Sequence, residues 1–211
     1  MTLIVVCGLI REARIARRLV SDMFVVIGGG QAGKLRADLD DMAELFPGSI
    51  LSAGIAGALD PRLKPGDTVI DGDPDVVARL KRALPGAIVG KVAGSDTIAA
   101  DPLTKAIIAA RTEAVAVDME SHIAASIARA HECPFGIVRV ISDTAGETLP
   151  PAALVGMRPD GGMALGKVLA SLAHDPGQLP ELIRIGRQSA LAFKNLARAF
   201  DALARARYDA D

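Results

Sequence analysis

Phe135-Gly136-Ile137-Val138-Arg139-Val140-Ile141-Ser142-Asp143-Thr144 is the stretch on which the fold turns. Its apolar residues run on almost unbroken instead of alternating with polar ones, as strands do when helices cover both faces of a largely parallel sheet. Comparable β-rich runs occupy residues 3–6, 23–27, 49–53, 67–70, 87–92 and 114–117. Helical spacing fills residues 12–19, 75–84, 102–111 and 120–131, with Asp101 as the cap and Pro102 at the first helical position of the third. This alternation predicts an α/β domain, a three-layer α/β/α sandwich around a mostly parallel, mixed sheet.

One domain is expected over residues 1–211, a length that buries a sizeable core without splitting. The pattern breaks at Gly146-Glu147-Thr148-Leu149-Pro150-Pro151, and a helical tail is expected from about residue 150. Within it, residues 179–208 set Leu182, Gly186, Ser189, Phe193, Leu196, Phe200 and Leu203 at alternating steps of four and three. The rest of the wheel carries Arg184, Arg187, Lys194, Arg198, Arg205 and Arg207 against two acidic residues, so a basic amphipathic helix ends a chain of net charge −1. Two outcomes fit: docking on the sheet with long basic side chains lying over apolar surface, or peripheral contact with an anionic membrane.

Half of the residues are hydrophobic, yet the longest uncharged run, 45–59, contains Pro47 and three glycines. It falls short of the ~20 apolar residues a spanning helix needs. No basic segment precedes the apolar run at 3–6, so the expected location is cytoplasmic. Cys7 and Cys133 are too few for a disulfide framework or a zinc cage and read as buried thiols. His122, His131 and His174 lack ligand spacing, so neither a metal nor a redox cofactor is implied. With 24 basic against 25 acidic side chains and 3% aromatics, the chain offers nucleic acid neither a positive footprint nor stacking surfaces.

Four motifs can carry chemistry. Gly28-Gly29-Gly30-Gln31-Ala32-Gly33 formally satisfies G-x-G-x-x-G, but it follows the second strand and no acidic residue ends the next. A loop for phosphate or a ribose hydroxyl fits it better than a dinucleotide site. Ser52-Ala53-Gly54-Ile55-Ala56-Gly57 reads as a strand stopping at glycines that let a ligand approach the backbone. Ala116-Val117-Asp118-Met119-Glu120-Ser121 and Arg139-Val140-Ile141-Ser142-Asp143-Thr144 put carboxylates at carboxyl ends of strands, where open α/β sheets bind ligands. Glu120 and Asp143 are therefore candidates for one cleft, although each taken singly also reads as a helix cap or a turn.

In this order the motifs resemble those of the nucleoside phosphorylase and adenosine-type nucleosidase superfamily, over about residues 3–144. The matching phrases are G-I-A-G-A-L-D-P-R-L-K-P-G-D-T-V-I from Gly54, S-D-T from Ser95, A-V-D-M-E-S from Ala116 and V-R-V-I-S-D-T-A from Val138. G-L-I-R-E-A-R-I-A from Gly8, V-D-M-E-S-H-I-A-A from Val117 and L-P-P-A-A-L-V-G-M-R-P-D-G from Leu149 resemble its hopanoid-associated branch, which removes adenine from adenosylhopane. The resemblance implies a homodimer that cleaves the N-glycosidic bond of a small or lipid-linked adenine nucleoside. It makes Asp143 the acid that protonates the purine at N7, Glu120 the clamp on the ribose hydroxyls and Met119 the lining of the ribose face. Asp96, Thr97, Ile98 and Ser142 surround the base. Such roles suit the chemistry, because the sugar gains oxocarbenium charge while an unprotonated purine leaves poorly. Phosphate is the expected co-substrate, in an anion pocket formed by Gly8, Arg11, Gly29, Gly30 and Gly54; the alternative is water activated by Glu12. A 5′-methylthioadenosine/S-adenosylhomocysteine nucleosidase and a non-catalytic nucleoside-binding protein are the rival readings.

Three departures from the superfamily pattern bear on these roles. Ile55 stands where Ser or Thr is frequent, and Ile98 where an aromatic usually stacks on adenine. Only residues 70–74 separate Val69 from the next helical pattern, where adenosine nucleosidases carry some tens of residues. That deletion is expected to open the pocket at the nucleoside's 5′ end and so admit a bulky lipid substituent.

Overall fold

A computed structural model of the chain describes residues 2–19, 23–154, 161–162 and 164–206. Arg207 and residues 155–160 of the phrase beginning at Leu149 lie outside the described residues.

Strand β1 (Thr2–Cys7) shows why the apolar runs do not alternate. Leu3, Val5 and Cys7 enter one hydrophobic layer, with Ala13 and Ala16 of α1 (Ile10–Leu19), Val76 and Leu80 of α3 (Pro74–Ala83), and Leu196 and Phe200 of α8 (Leu179–Arg205). Ile4 and Val6 enter the other, with Leu35 and Leu39 of α2 (Ala32–Leu45) and Ile123 and Ile127 of α5 (Ser121–Ala130). Both faces of the strand lie under helices, and the three layers expected from the sequence are present.

In the sheet, β2 (Met23–Ile27), β1, β3 (Gly48–Ala58), β8 (Phe135–Asp143), β4 (Thr68–Gly72) and β5 (Ile88–Val89) lie side by side. β6 (Val92–Gly94) pairs with β7 (Ala116–Asp118), which joins the end of β3. The β4–β8 and β3–β7 pairs are antiparallel and the others parallel. Helix α4 (Pro102–Thr112) begins as the sequence indicates, with the Asp101 side chain accepting the Thr104 N–H at 2.9 Å. Two shorter helices, α6 (Pro151–Leu154) and α7 (Leu165–His174), precede α8.

Several expectations change. β3 does not stop at its glycines but continues to Ala58, because Gly57 and Ala58 find partners in β7 while Gly54 to Gly57 stay paired with β8. The run at 87–92 is two short strands, β5 and β6. In the tail, Leu196, Phe200 and Leu203 are buried in the layer against the sheet and Phe193 is buried beneath Arg11, so these apolar side chains face the protein and not a membrane. Arg187, Lys194, Arg198 and Arg205 remain exposed on the outer face. Among the described residues no helix is long and apolar enough to cross a membrane.

The short connection after β4 also lies elsewhere than expected. Gly72 pairs with Gly136 at the start of β8, and the Asp73 Oδ2 accepts the Phe135 N–H at 2.7 Å. Asp143 ends the same strand seven residues on, roughly 23 Å away at ~3.3 Å per residue. Within one chain, the missing segment therefore has no bearing on the pocket around Asp143.

Candidate active site

The strand ends of β1, β3, β7 and β8 converge on a cavity of about 200 Å³. β1 runs out into Gly8-Leu9 and α1 starts at once, so the first turn of α1 brings Glu12 back over the strand end. Glu12 Oε2 accepts the N–H groups of Gly8 (2.9 Å) and Leu9 (2.8 Å), and its Oε1 accepts that of Ile55 (2.8 Å). The carboxylate is 2% exposed. Burial raises its pKa, while the Arg139 guanidinium and the three backbone bonds pull the other way.

Arg139, wholly buried in the middle of β8, lies under this group. Its Nε is 2.5 Å from Asp118 Oδ2 and its Nη2 is 3.5 Å from Glu120 Oε2, and Nη2 donates to Ser52 Oγ at 2.7 Å. Burial works against its charge, but Asp118, Glu120 and Glu12 outweigh it and raise the pKa. Two glycines make the crowding possible. A Cβ on Gly54 would lie 2.4 Å from Arg139 Nη1 and 2.5 Å from Glu12 Oε1, and one on Gly8 would lie 2.5 Å from Glu120 Oε1.

Glu120 sits just ahead of α5 with 7% of its surface exposed. Its pKa is pushed up to about 8, first by burial, with Asp118 and Glu12 adding repulsion against the pull of Arg139. Asp143 ends β8. Its Oδ1 accepts from Ser142 Oγ at 2.7 Å and its Oδ2 from Lys105 Nζ at 2.6 Å. Sequence reasoning missed Lys105, which is 1% exposed. One signal was available: Ile108 and Ala109, three and four residues on, are the α4 side chains that pack inward, so Lys105 shares their face. It also missed Asp118 as the partner of Arg139, and the backbone N–H of Ile55, which supplies a donor where the side chain lacks one.

Gly8, Glu12, Thr97, Ile98, Met119, Glu120, Ser142 and Asp143 all line the cavity, joined by Leu9, Val117, Leu149, Ala153, Leu154 and Ile185. Five other assigned residues lie outside this lining. Arg11 is exposed, its guanidinium 4.1 Å over the Phe193 ring on the outer side of α1. Asp96 faces His122 Nε2 at 3.0 Å near the surface. Gly29 and Gly30 make the left-handed turn after β2 (φ 57° and 72°), and the Gly29 N–H is engaged by the Gly8 carbonyl. Gly54 supplies the space that Glu12 and Arg139 occupy. A wider cleft of about 610 Å³ lies by Asp73 and Pro134, away from Glu12, Glu120 and Asp143.

The α/β/α sandwich that gathers three buried carboxylates around one arginine at its strand ends has a nucleoside phosphorylase-like fold. The model of the Phosphorylase superfamily matches residues 70–173. It is 28% identical to the 5′-methylthioadenosine/S-adenosylhomocysteine nucleosidase of Marinomonas sp. (strain MWYL1), over 60% of this chain and 71% of the relative. Its fold matches S-adenosylhomocysteine nucleosidase from Streptococcus pyogenes, solved with 5-methylthiotubericidin, with a TM-score of 0.68 and 19% identity over 97% of both chains. The 5′-methylthioadenosine/S-adenosylhomocysteine nucleosidase of Neisseria meningitidis, solved with methylthio-immucillin-A, matches with a TM-score of 0.66 and 19% identity over 96% of this chain and 99% of that one.

Proposed function

We propose that the chain hydrolyses the N-glycosidic bond of an adenine nucleoside. One observation carries the choice of water over phosphate: Glu12 fills the nest of N–H groups from Gly8, Leu9 and Ile55 with the protein's own carboxylate. A phosphate placed there would meet Glu12 and Glu120 as well, with Arg139 already shared among three acidic groups. A water molecule meets a base instead. In this reading Glu12 takes the proton of the attacking water, Glu120 holds the ribose hydroxyls, and Asp143, oriented by Ser142, passes a proton to N7 of the leaving base.

The substrate reading that fits best is a nucleoside with a small apolar 5′ substituent, of the 5′-methylthioadenosine/S-adenosylhomocysteine type, which is what the Marinomonas relative is named for. Leu149, Ala153, Leu154 and Ile185 supply an apolar wall for it. Adenosylhopane remains the second reading, supported by the three sequence phrases, while the tail stripe and the short β4–α3 connection no longer speak for it. A homodimer belongs to the same proposal; α4 offers it the exposed Leu103 and Ile107, and light scattering measures the mass. Incubation with methylthioadenosine or adenosylhopane, each with and without phosphate, tests the rest. The expected result is adenine and free sugar from methylthioadenosine, at a rate indifferent to phosphate. A sugar 1-phosphate product overturns hydrolysis, turnover of adenosylhopane alone assigns the lipid-linked substrate, and binding without turnover leaves a nucleoside-binding protein.

A further inference from the structure

Lys105 is a buried ammonium, 1% exposed, on a helix whose neighbouring inward side chains are apolar. Removing it from water is costly, and a buried ion pair of this kind stabilises a fold no better than an apolar side chain of similar volume. Its three N–H groups are nonetheless matched to three acceptors: Asp143 Oδ2 at 2.6 Å, the Thr144 carbonyl at 2.7 Å and the Glu147 carbonyl at 3.2 Å. The other charged groups around it are Asp101, capping the same helix, and Glu147. The Glu147 carboxylate is engaged elsewhere, by the Thr144 N–H at 2.7 Å, by Gln188 Nε2 at 2.8 Å and by Arg184. Lys105 is thus directed at Asp143 and at two uncharged carbonyls.

With Lys105 and Ser142 both donating to it, Asp143 is arranged as an acceptor. The reaction proposed above needs it as a donor, at the moment when the breaking bond makes the purine basic. We propose that Lys105 is a positioning residue that supplies, through Asp143, the proton taken by the leaving purine. As the bond between sugar and purine breaks and its electron pair passes into the base, a proton leaves Lys105 Nζ for Asp143 Oδ2, and Asp143 passes it to N7. The attacking water loses its proton to Glu12. Once the products leave, Glu12 returns a proton to solvent and the Lys105 amine takes one up, so the cycle balances.

The inference rests on the nucleosidase reading, and the experiment separates the two. Lys105→Met is compared with wild type on methylthioadenosine and on p-nitrophenyl riboside, whose leaving group departs as a stable phenolate without a proton. The expected loss on methylthioadenosine is about 100-fold in kcat with KM changed by no more than about threefold, and the loss on the phenolate substrate is at least about tenfold smaller. Asp143→Asn shows the same selectivity, and the double variant is no slower than Asp143→Asn alone. Equal losses on both substrates, or additive losses in the double variant, overturn the relay and leave Lys105 a structural cation. Lys105→Arg keeps the question open to test if Lys105→Met does not fold. A guanidinium preserves the charge without releasing its proton, so the same leaving-group selectivity is expected, and full activity refutes the relay. A wild type that cleaves p-nitrophenyl riboside but no adenine nucleoside refutes the nucleosidase reading and the relay together.

Discussion

Glu12 and Glu120 are both buried beside the same arginine, and burial drives both carboxyls toward the protonated form. For Glu12 this tunes a base toward neutral pH, where removing a proton from water is most effective. Glu12→Gln keeps the shape and removes the base, so kcat should fall by about 10²- to 10⁴-fold, measured as adenine release, with no recovery on adding phosphate. Recovery by phosphate would falsify the role given to Glu12. For Glu120 the consequence is a pH-dependent stability. Its carboxyl has an ordinary value of 4.5 and a folded value of about 8, so between these the folded protein holds a proton that the unfolded chain has released. This contribution is complete below the ordinary value and is lost as pH rises through about 8. Melting temperatures should therefore decline across that window in wild type and decline less in Glu120→Gln; identical slopes would show that Glu120 is not the group responsible.

At the scale of elements, the legible part was whatever burial on two faces writes into composition. β1, β2 and β8 read directly because most of their apolar residues divide between the two helix-covered layers. The end of β3 did not, because Gly54, Gly57 and Ala58 resemble a turn in sequence, whereas here they are small to admit Glu12, Arg139 and Asp143 beside the strand. Gly54→Ala tests that account. The added methyl meets the buried Arg139 and Glu12 head groups and not a flexible tip, and the substitution should cost about 1–3 kcal/mol and reduce turnover more than binding. Chemical denaturation and kinetics read the two effects, and a neutral outcome would mean the strand can shift. Glu12, Glu120 and Asp143 were visible as carboxylates near strand ends, while Lys105 was not, since one lysine in a helix reads as solvated until the packing of Ile108 and Ala109 fixes its face. The position of the β4–α3 connection was equally hidden, because only the antiparallel pairing of β4 with β8 reveals which end of the sheet it occupies.

At the scale of the whole molecule, α8 decides whether the protein has a face for lipid. Its apolar stripe is used up in the core: Leu196 and Phe200 are 0% and 1% exposed, so Phe200→Ala should cost about 3–5 kcal/mol of unfolding free energy, as deletion of a core aromatic does. α8 presents Arg187, Lys194, Arg198 and Arg205 outward, with Leu179, Ile183 and Leu191 the exposed apolar side chains among them. Each basic residue close to an anionic surface contributes about 1 kcal/mol, but the buried stripe adds no apolar insertion to that attraction. Any adsorption to anionic vesicles should therefore be electrostatic alone, visible at low ionic strength and gone by about 0.5 M salt, where screening confines the field to a few ångströms. Reversing Arg187, Lys194 and Arg198 to Glu should abolish it without lowering the melting temperature by more than exposed substitutions usually do. Sedimentation with vesicles that persists in high salt would require an apolar contact outside the buried stripe. Leu179 and Ile183, 47% and 45% exposed at the start of α8, are the residues whose replacement by Ser would then locate it.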